Sequence, residues 1–131
     1  MTGRTICFSI RGFDHSVDAV GKIIGRLPTS AGLKGQPVKL GLSQTLKRSY
    51  VGYARTFGSD DLWDNVILDL IESLGGAVHL SAAVKELKPE FVQIDITSPV
   101  RNSEEQEDRY ISSEVLRVVA DLGADLGFGF V

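Results

Sequence analysis

The chain has 131 residues, enough for one domain built on one core. Its 43% hydrophobic and 24% charged residues exclude disorder, and no apolar run approaches the roughly 20 residues of a membrane helix. A single cysteine, Cys7, excludes an internal disulfide; without a signal-like apolar stretch near the start, the expectation is a reducing, cytoplasmic setting.

Residues 5–11 alternate Ile6, Phe8 and Ile10 with Cys7, Ser9 and Arg11, which predicts a first strand. A turn over 12–16 offers Asp14 or Ser16 as cap to a helix over 17–24, with Val17, Val20, Ile23 and Ile24 inward. Gly25 stops that helix and Pro28 prevents its continuation. Residues 29–43 carry Gly32, Gly35, Pro37 and Gly41 and read as a long surface loop, a length often tied to function. Tyr50, Val51, Tyr53 and Phe57 predict a second strand over 49–57.

Gly58, Ser59 and Asp60 open a helix over 58–74, with Leu62, Trp63, Val66, Ile67, Leu70, Ile71 and Leu74 as a broad inward face. Gly75 and Gly76 break it, and a shorter helix spans 77–87 before Pro89. A third strand follows over 91–97, then a polar loop over 98–109 with acids at Glu104, Glu105, Glu107 and Asp108. Ser112 caps a last helix whose stripe is Val115, Leu116, Val119 and Leu122, and Gly123 ends it. Leu126, Phe128 and Phe130 alternate with Gly127 and Gly129 as a closing strand inserted into the sheet. The order β-α-β-α-α-β-α-β predicts an α+β fold: a two-layer sandwich with one mostly antiparallel four-stranded sheet and helices on one face.

The net charge of −3 hides a division. Residues 19–59 contain Lys22, Arg26, Lys34, Lys39, Lys47, Arg48 and Arg55 and no acid. From Asp60 onward acids outnumber bases by 15 to 5. If the halves interleave, the charges cancel; if the fold keeps them apart, an anion-facing surface results.

No catalytic set emerges from the sequence. Asp60, Asp61 and Asp64 can share a helix face suited to Mg²⁺, but capping alone puts acids in a first turn, and a second ligand group is missing. His15 and His79 lack ligand spacing, and Cys7 falls in a core strand where a thiol acts as a small apolar group. Gly21-Lys22 lacks the glycine spacing of a phosphate loop. Residues 47–55 interleave bases and aromatics as single-strand nucleic-acid binders do, but an ordinary strand with one wet face does the same, and the acidic balance counts against nucleic acid.

Two stretches carry a resemblance. One is the first helix with its exit, Val17-Asp18-Ala19-Val20 through Gly25-Arg26-Leu27-Pro28-Thr29 to Lys34-Gly35-Gln36; the other is Ile111-Ser112-Ser113-Glu114-Val115-Leu116 with Leu122-Gly123 and the closing strand. In these the chain resembles a small bacterial family catalogued as domain-of-unknown-function family 4279, with Tyr50 and Tyr53 where members carry Trp, and Val131 where they carry an aromatic. The resemblance implies no activity or catalytic residue. Small bacterial α+β proteins of this kind are similar to immunity proteins of toxin systems, which implies a protein partner.

The expectation is therefore a non-enzymatic protein-binding module that docks through Lys34, Lys39, Lys47, Arg48 and Arg55, with no metal or cofactor. The alternative is a small-ligand or anion-binding domain, with residues 29–43 closing over a site beside Tyr50 and Tyr53. An edge strand left open would favour a two-fold homodimer.

Overall fold

A computed structural model describes residues 3–37, 44–99 and 110–130. Its helices are α1 (Val17–Ile24), α2 (Trp63–Ser73), α3 (Ala77–Leu87) and α4 (Ser113–Asp121). Its strands are β1 (Thr5–Arg11), β2 (Ser30–Gly32), β3 (Tyr50–Thr56), β4 (Phe91–Ser98) and β5 (Asp125–Phe130). They form one mixed sheet in the order β2-β3-β1-β4-β5.

The alternation in β1 explains its central place. Phe8 stands opposite Tyr53 on one side and Ile94 on the other, and Ile10 stands between Val51 and Val92. Opposed residues share a face, so one side of the sheet becomes continuously apolar. Ile6, Phe8, Ile10, Val51, Tyr53, Ile94 and Ile96 are buried there in one core with Val20, Ile24, Ile67, Leu70, Leu80, Val115 and Val119 from all four helices. Each such side chain contributes about 1.5–3 kcal/mol by leaving water. The opposite face carries Cys7, Ser9, Gly52, Ala54, Gln93, Asp95 and Gly127, none of which joins the core.

Local signals set the helix ends. Ser16 Oγ accepts from the Ala19 N–H at 3.1 Å, and Gly25, at φ +93°, closes α1 in a conformation that costs an L side chain about 1–2 kcal/mol. Ser112 caps α4 in the same way through the Val115 N–H. The expected start of the second helix moves: Asp61 closes a turn by accepting from the Gly58 N–H at 2.8 Å, and α2 begins only at Trp63.

The strand count and the buried stripe of the last helix are corrected, while the mostly antiparallel sheet stands, three of the four pairings between its strands being antiparallel. The sheet has five strands, because three residues of the expected loop pair with β3 as β2. The closing strand runs parallel to β4, through the α4 crossover, and lies at the sheet edge. Leu116 is 44% exposed, leaving Val115, Val119 and Leu122 as the buried stripe of α4. Between β2 and β3 the Gly35 N–H donates to the Leu46 carbonyl, the Leu46 N–H to the Gln36 carbonyl, and Pro37 bridges Thr45. The acidic run 104–108 and Lys39 lie outside the described residues.

No single helix among the described residues is long and apolar enough to cross a membrane; α2 and α3 meet that test only as a pair bent by 63°.

Candidate functional site

The strand order converts the charge division of the sequence into a division of the sheet. Residues 19–59 supply β2 and β3 on one side of β1, while the acid-rich half supplies β4 and β5 on the other. The charges meet at one end of β1, where Arg48 forms an ion pair with Glu90.

That end is built by backbone before side chains. The Gly12 N–H donates to the Ser49 carbonyl at 2.9 Å, and the Glu90 N–H donates to the Gly12 carbonyl at 3.3 Å. Gly12 stands at φ +82°, and a Cβ there would fall 2.7 Å from Glu90 Cγ. A residue without a side chain is therefore required for the β1 end to approach Glu90. Ser49 Oγ accepts from the Lys34 N–H at 3.0 Å, which fastens the first arm of the β2–β3 connection beside the second. Lys34 and Lys47 are both exposed on these arms.

Register gathers the aromatics to the same place. Arg11 is opposite Tyr50 on β3 and opposite Phe91 on β4, on the sheet face away from the helices. The Arg11 and Arg48 guanidinium carbons lie 4.9 and 5.0 Å from the Phe91 ring centroid. Each contact of this kind is worth about 0.5–1 kcal/mol at an exposed site and holds the guanidinium in place without removing its charge. Arg11 also donates to Gln93 Oε1 at 3.4 Å. The Tyr50 ring lies against Gly32 of β2. The result is a basic and aromatic corner formed by Arg11, Lys34, Lys47, Arg48, Tyr50 and Phe91, with the Glu90 carboxylate inside it, paired to Arg48.

The other expected residues lie elsewhere. Tyr53 faces the helices, 2% exposed, and its hydroxyl donates to the Arg26 carbonyl at 2.8 Å. Burial pushes its phenol up to about 12. Tyr50 and Tyr53 are three apart in a strand and so stand on opposite faces, which removes a single pocket beside both. Arg55 is at the far end of β3, where it donates to the Asp69 carbonyl and lines a cleft of about 110 Å³ with Asp61, Asn65 and Asp69. A second, more open hollow of about 350 Å³ lies on the outer side of α1 beside Lys22, Arg26 and Leu27. Neither borders Tyr50.

Three of the remaining chemical candidates, Asp64, His79 and Cys7, have structural explanations. Asp64 Oδ1 accepts from the Ser112 N–H at 2.8 Å and joins α2 to the cap of α4. His79 Nε2 is 2.7 Å from the Ile24 carbonyl. Burial pushes the Cys7 thiol up, against a weaker backbone hydrogen bond from Tyr53, so it stays protonated near neutral pH. Among the described residues, no three His, Cys, Asp or Glu side chains converge as metal ligands. The His15 Nδ1, Trp63 Nε1 and Ser98 Oγ atoms are buried and have no hydrogen-bond partner among the described residues.

The sequence reading missed Arg11, Glu90 and Phe91. Their contacts join positions 42 to 82 residues apart, and only the register of three strands brings them together. Compared with known proteins, no family model, curated protein or solved structure matches the chain, so the likeness to family 4279 rests on the residues quoted for it.

Proposed function

We propose that this protein is a non-enzymatic binding module that docks an acidic segment of a protein partner on the corner formed by Arg11, Lys34, Lys47, Arg48, Tyr50 and Phe91. The observation that carries the reading is the register of β1 with β3 and β4, by which Arg11 and Arg48 lie over the Phe91 ring beside Tyr50. Cations held over an aromatic ring beside exposed lysines suit carboxylates presented along a peptide. The partner is met in a reducing cytoplasm, where Cys7 stays a free thiol, in the manner of an immunity-like protein.

The test is affinity capture from the cells that make the protein, using the full chain and the triple variant Lys34→Glu, Lys47→Glu, Arg48→Glu. The reading expects one stoichiometric protein held by the wild type, released by salt and lost by a variant that still melts cooperatively. Equal retention by both chains overturns it. An empty capture with a small anion that raises Tm replaces it with anion binding.

A further inference from the structure

Among the described residues the outer edge of β5 has no neighbour in the sheet, although this strand is apolar: Phe128 is 48% exposed and Phe130 is 65% exposed. Folded proteins guard open edges with charge, proline or a cover. Residues 126–130, Leu-Gly-Phe-Gly-Phe, contain neither charge nor proline.

We infer that β5 is the interface of a two-fold homodimer, in which two copies pair antiparallel about Phe128 and join their sheets edge to edge. The strand is its own complement about that residue: one position away on each side is glycine, and two positions away are Leu126 and Phe130. Antiparallel pairing about Phe128 sets Phe128 opposite its copy, Leu126 opposite Phe130, and Gly127 opposite Gly129. Bulky side chains thus meet on the helix face and bare backbone meets on the other, which a one-residue slip does not provide. Phe128 is already fixed for this by stacking on Trp63, with ring centroids 5.3 Å apart, so ordering it on association costs little.

Charge selects the same occupant. Asp125 stands at the start of β5 and Asp95 beside Gly127, so a partner strand carrying acids is repelled. In the self-pairing the two Asp125 residues are six positions apart along the strands, about 20 Å, beyond the screening length at physiological salt. An isologous contact closes on itself and ends growth at two copies.

Sedimentation over a concentration series, on the full chain, tests the dimer. The wild type is expected to pass from monomer to twice that mass and no further. Phe130→Lys, which places a charge on the edge, is expected to stay monomeric at every concentration with an unchanged circular dichroism spectrum. A wild type that remains monomeric, or a Phe130→Lys protein that still dimerises, overturns the inference. The register has its own test in the double variant Cys7→Ser, Phe128→Cys. Oxidation should link it to its own copy, while Cys7→Ser, Val78→Cys, altered at an 88% exposed helix position, should stay unlinked. A dimer that fails to cross-link through position 128 also overturns it.

Discussion

Replacing Tyr53 by Phe removes one atom from a ring that is 2% exposed and leaves the packing of β3 against the helices intact. At neutral pH the loss is the hydrogen bond to the Arg26 carbonyl, and the variant should be about 1 kcal/mol less stable. At high pH the order reverses. The folded phenol is pushed from its ordinary 10.0 up to about 12 by burial, so between these values the unfolded chain releases a proton that the folded chain keeps. Stability is fully present below pH 10.0 and is lost as pH rises toward 12, at about 1.4 kcal/mol per unit. By about pH 11 the wild type has therefore lost about 1.4 kcal/mol that Tyr53→Phe cannot lose, and the variant becomes the more stable of the two. Urea unfolding of both proteins from neutral to alkaline pH measures the difference directly, because the other titrating groups are common to both. A difference that is the same at every pH would refute the burial and bonding assigned to this hydroxyl.

Two further substitutions probe the framework. Gly12→Ala forces a side chain into Glu90 at a positive φ; it should cost at least about 1–2 kcal/mol in urea unfolding and free Arg48 from its ion pair, seen as broadening of the Arg48 Nε resonance. Asp64→Ala leaves the Ser112 N–H without its acceptor and should cost about 1–3 kcal/mol, with faster amide exchange at the start of α4.

Elements governed by local rules were legible in the sequence. The 17–24 helix ends at Gly25 because a glycine there is the least strained way to leave α1, and the 77–87 helix is bounded by the two glycines before it and Pro89 after it. The turn from Gly25 to Thr29 shows what lies behind the missed strand. Thr29 bonds to β3 through its backbone N–H and its hydroxyl, which delivers Ser30, Ala31 and Gly32 alongside Val51. Those three residues have no alternation of their own, so their pairing depends on a strand some 20 residues away. The parallel direction of β5 did have a signal, since a strand-helix-strand run is how parallel neighbours are joined. The split of Tyr50 from Tyr53 also follows from the period of two in a strand. The corner had only half a signal: its lysines and Arg48 stand in the basic segment, whereas Arg11 and Phe91 arrive by register.

The proposed docking of the partner on the basic corner has a direct readout. Hydrogen–deuterium exchange of the captured complex against the free protein tests it most directly. Slowed exchange is expected in residues 33–37 and 44–49, with the outer faces of α1 and α3 unchanged. Protection confined to those helices, with 33–37 and 44–49 exchanging as in the free protein, would contradict it.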